Sequence, residues 1–231
     1  MTVCRNLGCG PDDVSVLAAE LVGPSGSVVG IDRNADVVAV ANERVRNSGL
    51  RNVDFRHAEL HAFTSDVSFD CVVGRCVLIH QAKSGGLPSC GRRFLRSGGV
   101  IAFHEPDATR SVLTSSPVVP RWDAIGELVR AAFIEVLPHY DVANRMVEHF
   151  LNAGLPAPSM FKQIPVSSGD HSTFFRWAAE SFRSVQHQLI DMGLFSETVA
   201  IERVEDSLRD ATVAACGVLE GPTQVGAWAR I

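Results

Sequence analysis

The sequence carries no surplus of positive charge. Its 21 lysines and arginines are outnumbered by 26 aspartates and glutamates, for a formal net charge of -5. No long-range positive field therefore gathers phosphates along a nucleic acid or draws the chain to an anionic membrane. Apolar runs near the roughly 18 residues that span a bilayer are missing, and the opening Met1, Thr2, Val3, Cys4, Arg5 lacks the apolar core of a signal peptide. A cytosolic protein is expected, with neither nucleic acid nor membrane among its partners. The six cysteines form no C-x-x-C pair, and His57, His61, His149, His171 and His187 have no metal-ligand spacing, so neither a metal site nor a disulfide framework is expected. Nor does the chain have the low hydrophobicity of disorder. Over 231 residues, 46% hydrophobic and 20% charged side chains supply a full core, and the length points to one domain, residues 1–231, that carries an insertion.

Up to about residue 107, short β-rich runs alternate with amphipathic stretches, a rhythm that predicts a parallel sheet with helices on both faces. Strands are expected at Val3 to Leu7, Ser27 to Ile31, Val53 to His57, Phe69 to Gly74 and Val100 to His104. Helices are expected over Val14 to Leu21, with Asp12 or Asp13 as cap, and over Ala35 to about Asn47, capped by Asn34 and ended by Gly49. Between Gln81 and Phe94, Gly85, Gly86, Pro88 and Gly91 predict a short or irregular helix. Ser97, Gly98 and Gly99 read as a turn into the fifth strand. Beyond it, helices are expected over Val118 to Val136, Val142 to Leu151, Ser172 to Met192 and Val199 to Cys216, with strands over Phe161 to Val166 and Thr223 to Ala229. The first 110 residues read as a cofactor-binding core, and 111–231 as a helical cap or substrate region with the final strands.

The turn Gly8, Cys9, Gly10 lies between a strand and a helix, where glycines let the main chain approach a ligand and free N–H groups face it. Asp32, 22 residues after Gly10, ends the next strand, where a carboxylate can accept both ribose hydroxyls of an adenosine ligand. A dinucleotide fingerprint would need glycine at Asp13, and carboxylates at 12 and 13 would repel a pyrophosphate. S-adenosylmethionine, with a sulfonium and an ammonium and no phosphate, suits this acidic turn better.

Four segments stand in order at matching distances: V-C-R-N-L-G-C-G-P-D-D-V-S from Val3, V-V-G-I-D-R-N from Val28, F-D-C-V-V-G-R-C-V-L-I-H-Q from Phe69 and L-R-S-G-G-V-I-A-F-H-E-P-D from Leu95. With the closing V-G-A-W-A-R from Val225, they resemble the class I S-adenosylmethionine-dependent methyltransferases of the bacterial small-molecule type. The resemblance implies an α/β, doubly wound Rossmann-like sheet of seven strands, the last antiparallel, with a helical insertion between the last two strands. It implies S-adenosyl-L-methionine as cofactor. Gly8, Cys9 and Gly10 would line its methionine part, Asp32 would hold the ribose and Arg33 would flank the adenine. Glu59 and Leu60 match the adenine-reading position, and Arg75 and Cys76 the stretch that passes the transferred methyl. Asn6 stands where the family usually has an acid near the cofactor's ammonium, and Asp12 replaces a third glycine. Only seven residues precede Gly8, which implies a more open cofactor cleft than in the family.

Methyl transfer is an in-line displacement at an activated carbon, so the protein supplies positioning, plus a base when the nucleophile carries a proton. His80, His104 and Glu105, at strand ends beside the cofactor, are the candidates. Each has an alternative: packing for the histidines, capping of a neighbouring helix for Glu105. Phe174, Phe175, Trp177 and Phe182 recur near helical spacing and read as core. The expected activity is methyl transfer to O, N or C of a small molecule. The alternative is a relative that keeps the fold as a ligand-binding or interaction module, for which a homodimer sealing the cleft is one form.

Overall fold

A computed structural model describes residues 2–11, 13–65, 67–81, 86–110, 113–196 and 200–231. The first half alternates as expected: β1 (Val3–Leu7), α1 (Asp13–Val22), β2 (Ser27–Asp32), α2 (Ala35–Ser48), β3 (Val53–His57) and β4 (Phe69–Arg75). A single 3-10 turn, Leu78–His80, then precedes α3 (Gly86–Arg92) and β5 (Leu95–Pro106). There follow β6 (Thr114–Ser116), α4 (Pro120–Val136), a 3-10 turn at Val142–Arg145, α5 (Met146–Asn152), β7 (Ser159–Gln163), β8 (Val166–Ser168), α6 (Phe174–Asp191), α7 (Ile201–Ala214), β9 (Val218–Glu220) and β10 (Gln224–Arg230). Strands β3, β2, β1, β4, β5, β10 and β7 pair in that order in a seven-stranded sheet whose last strand, β10, is antiparallel. The chain divides into two compact units, one of residues 1–105, 142–161 and 225–231, the other of 106–141 and 162–224.

Local chemistry sets the element boundaries in the first unit. Asn34 Oδ1 accepts the N–H groups of Asp36 and Val37 at 3.0 and 3.3 Å, which opens α2, and Gly49 at φ 77° closes it. The central strand β1 is buried from Cys4 to Leu7. Cys4 packs with Ala19 and Val28 on the α1 side, while Arg5 turns to the other face. There its guanidinium lies 4.2 Å from the centre of the Phe63 ring and 4.1 Å from that of Phe94. Cations over aromatic faces gain most where water is excluded, and Arg5 is fully buried.

The second unit has its own core. Trp122 and Val129 of α4, Phe175, Phe182, Val185 and Leu189 of α6, and Leu208 of α7 are buried together with Leu113 and Leu219. Phe175 and Phe182 thus pack as their spacing predicts, and Phe174 stacks on Trp122 at 6.5 Å, whereas Trp177 is exposed.

Several expectations need correction. The fifth strand does not start at Val100 after a turn. It starts at Leu95, because Gly98 at φ 80° lets the chain bulge without leaving the sheet, the register shifting between Phe69↔Leu95 and Cys71↔Val100. The sixth strand ends at Gln163 and not Val166, since Pro165 has no N–H to continue a ladder. Three short strands, β6, β9 and β8, form a separate antiparallel sheet absent from the sequence reading. The caps proposed at Asp12 and the helix start proposed at Val199 lie outside the described residues, as does Gly85. No helix is long and apolar enough to cross a membrane, and no group of three His, Cys, Asp or Glu gathers to hold a metal, both among the described residues.

Candidate active site

The strand order β2, β1, β4 places three C-terminal strand ends side by side, and in an open α/β sheet this is where ligands bind. A cleft of about 340 Å³ opens there, lined by Gly8, Cys9, Gly10, Asp32, Arg33, Leu60, Arg75, Cys76 and His80 of the sequence candidates. Pro11, Asp13, Val14, Val77 and Gln81 complete it. Asn6, Glu59, His104 and Glu105 are not among the lining residues.

The turn after β1 is built from main chain. Cys9 N–H donates to Ile31 O at 2.9 Å, while the Cys9 side chain is buried in the cluster of Val38, Ala41 and Phe55. Gly8 at φ 63° and Gly10 at φ 56° adopt the left-handed conformation that a Cβ disfavours. Their surroundings differ. A Cβ on Gly10 would meet nothing within 4 Å, so the space beside it is open, whereas a Cβ on Gly8 would come within 2.5 Å of Val77 Cγ2. Asp32 ties the turn to β2: Oδ2 accepts Gly10 N–H at 3.1 Å and Oδ1 accepts Asn34 N–H at 3.0 Å. Below the turn, buried Asn6 donates from Nδ2 to Ser15 Oγ at 3.0 Å, and its Oδ1 has no partner among the described residues. Gly8→Ala is expected to cost about 2 kcal/mol of stability through overpacking and backbone strain. It should also weaken adenosyl-ligand binding, read by chemical denaturation and calorimetry.

The opposite wall follows β4. Cys76 sits at φ 50°, an uncommon conformation for a residue with a Cβ, and its N–H donates to His104 O at 2.9 Å. Glu105 fixes the next three residues. Its Oε1 accepts Val77 and Leu78 N–H, each at 2.9 Å, and its Oε2 accepts Ile79 N–H at 3.3 Å. This is the capping arrangement, applied to the 3-10 turn. Burial pushes the Glu105 carboxyl up to about 7, against the opposing pull of the Leu78, Val77 and Ile79 N–H groups.

His80, at the cleft rim, is held below the ordinary histidine range by desolvation and then by the Arg33 charge; His104 is lowered by desolvation and then by Arg75. Both rings are neutral at neutral pH. His104 is placed on β5 beside Arg75, its ring 6.0 Å from that of Phe161. Leu60 is buried at the cleft edge, and neighbouring Glu59 is exposed, its carbonyl accepting the N–H of Ala62 and Phe63. One feature lacked a sequence signal, the wall contributed by Val77 and Gln81; the amide clamp of Glu105, whose partners lie 26 to 28 residues away, is the capping alternative given for that residue.

A family model described as a methyltransferase domain matches residues 1–133. An arsenite methyltransferase from Aquipseudomonas alcaligenes is 34% identical over 113 residues, 46% of this chain and 33% of that one. A demethylmenaquinone methyltransferase from Listeria welshimeri is 30% identical over 131 residues, 56% of this chain and 51% of that one. The chain therefore spans between a third and a half of these curated relatives. Among solved structures, the YcgJ protein from Bacillus subtilis aligns with a TM-score of 0.59 and 13% identity, covering 99% of this chain and 91% of that one, a likeness of fold.

Proposed function

The chain belongs to the class I S-adenosylmethionine-dependent methyltransferases, and on that premise we propose that it moves a methyl group to O, N or C of a small-molecule acceptor in the cleft at the ends of β1, β2 and β4. The observation that carries this reading is the tie between Gly10 and Asp32: an open glycine turn fastened to a carboxylate that is still free to accept more. Each Asp32 oxygen takes one N–H and retains a further lone pair for a ribose hydroxyl.

S-adenosylmethionine, when bound, supplies a methyl group already activated by its sulfonium. The residues present suit it. Gly8 and Gly10 offer main chain at close approach, and Leu60 offers an apolar wall for a purine. Asp13 and Asp32 bring two carboxylates to the lining, which can attract a sulfonium and an ammonium. Asn6 acts from beneath, holding the turn through Ser15 in α1. For an acceptor that bears a proton, His80 is the base, because it lines the cleft and its ring is neutral at neutral pH. His104 and Glu105 act from behind as positioning residues, since they hold Cys76 and Val77–Ile79 through backbone hydrogen bonds.

Titration calorimetry with S-adenosylhomocysteine tests this reading. One site per chain with micromolar-range affinity is expected, followed by turnover of S-adenosylmethionine across a panel of hydroxyl, amine and carbon-nucleophile acceptors. No heat of binding at high protein concentration would overturn the assignment.

A further inference from the structure

The unit built on α4, α6 and α7 holds a hollow of its own. Between α4 and α7 opens a cavity of about 420 Å³, a volume within the roughly 300 to 1,000 Å³ usual for small-molecule sites. From α4 it takes Arg121, Ala124 and Ile125, and from α7 Arg203, Val204, Ser207 and Leu208; in each set the spacing puts the side chains on one helix face. Its floor is apolar. Leu208 is buried in the core of this unit, and Ile125 and Val204 pack against that core while staying partly open.

The charged part of the lining has one sign. Two guanidiniums line the cavity and no aspartate or glutamate does. Arg121 donates to Ser207 Oγ, from α4 to α7, and among the described residues neither Arg121 nor Arg203 has a carboxylate within ion-pair distance. Acidic side chains on the same two helices are engaged elsewhere. Asp123 accepts the Ser115 hydroxyl at 2.8 Å, Glu127 meets Arg130 at 2.9 Å, and Glu205 and Asp206 meet Arg209 at 2.6 and 2.7 Å. Glu202 precedes Arg203 in the chain, but consecutive side chains on a helix do not face each other, and Glu202, Glu135 and Asp210 all stay outside the lining.

We propose that this cavity binds a free amphiphilic carboxylate of the medium-chain fatty-acid class, its head held by Arg121 and Arg203 and its chain laid over Ile125, Val204 and Leu208. A planar guanidinium presents a fork of donors that matches a carboxylate, and the apolar floor takes methylenes out of water. A lone surface arginine or a lone apolar dent would need no ligand. Joined in one cavity with no acidic lining residue, they select a molecule that has both parts. The occupant is a single small molecule and not a lipid surface, because the cavity has a small-molecule volume and the chain's net charge of -5 opposes approach to an anionic membrane. None of the lining residues belongs to the cleft at the ends of β1, β2 and β4, so the site stands or falls apart from the methyltransferase reading.

The test follows the methyl signals of Ile125, Val204 and Leu208 by NMR while octanoate is added at constant ionic strength, with octanol as the probe that lacks the charge and acetate as the probe that lacks the chain. Octanoate should shift all three residues and saturate, and octanol and acetate should each bind at least tenfold more weakly. Arg121→Gln and Arg203→Gln should each weaken octanoate by roughly tenfold, the scale of one hydrogen bond to a charged group, and leave octanol unchanged. Ala124→Phe, which fills the cavity from an exposed position, should weaken octanoate and octanol alike. Arg130→Gln, on α4 but outside the lining, should match the parent chain. Arg203→Gln removes no hydrogen bond or ion pair found among the described residues, so it decides the matter should Arg121→Gln fail to fold. The proposal is overturned if octanoate leaves the three methyl residues unmoved, if octanol binds as tightly as octanoate, if Arg203→Gln keeps the parent affinity, or if Arg130→Gln loses as much as Arg203→Gln does. Capture of the chain by phosphatidylglycerol vesicles, dependent on Arg121 and Arg203 and without saturable binding of octanoate, overturns it in favour of a membrane-facing surface.

Discussion

Asp32→Ala is expected to weaken S-adenosylhomocysteine binding by roughly a hundredfold, about 3 kcal/mol, as the loss of one or two hydrogen bonds to a charged group. Two effects contribute. The ribose loses a charged acceptor, and the turn loses the anchor that holds Gly10 N–H at 3.1 Å. The fold should survive, because α2 keeps its own cap at Asn34, so the thermal midpoint of the ligand-free variant stays near that of the parent. Asp32→Asn should fall between the two, since its amide retains one acceptor oxygen but turns an NH2 toward either Gly10 or Asn34. Calorimetry on the three proteins, with circular dichroism to confirm folding, separates these cases. An unchanged affinity in Asp32→Ala would remove this carboxylate from the site.

Glu105→Leu is expected to destabilise the chain by about 3 kcal/mol or more, since it strands three buried N–H groups, each costing roughly 1 kcal/mol or above. Those groups belong to Val77, Leu78 and Ile79, so the cleft wall loosens with them. The same carboxyl makes stability depend on pH. Its folded value, about 7, lies above the ordinary 4.5, so the folded chain holds this proton more tightly than the unfolded chain. The contribution is complete below about pH 4.5 and is lost as pH rises through about 7, with a span of roughly 3 kcal/mol. Glu105→Gln keeps an acceptor for Val77 and Leu78 and cannot ionise. Denaturation midpoints measured from pH 5 to 8 should therefore decline less with rising pH in Glu105→Gln than in the parent. Parallel profiles would mean that Glu105 does not carry the slope.

Features determined by neighbouring residues were legible in the sequence. The bounds of α2 follow from Asn34 and Gly49, whose cap chemistry is complete within a few residues, and the strands up to β4 follow from runs flanked by turn residues. Asp32 could be placed beside the glycine turn because parallel β2 must end level with β1. Features fixed across long separations were not legible. Three-residue strands such as β6, β8 and β9 are too short to show a period, and Ser97-Gly98-Gly99 has the composition of a turn although the sheet carries it through as a bulge. Glu105 could be read from its position as a base or as a cap, and only the distant amides that surround it decide between these. That Arg75 lines the cleft while Glu59, next to Leu60, does not depends on side-chain directions that spacing does not encode.

Arg5 bears on how the glycine turn comes to stand in the right place. A central parallel strand is apolar on both faces, so hydrophobic pattern alone does little to tell one alignment from the next. In β1 the sides are labelled: Cys4 and Asn6 meet α1, and Arg5 meets the rings of Phe63 and Phe94. A slip of one residue would exchange the faces and drive the guanidinium against Ala19 and Val28, where no ring receives it. The buried cation thus acts as an indexing pin for the strand, and by fixing where β1 stops, it sets the height at which Gly8 and Gly10 open toward a ligand.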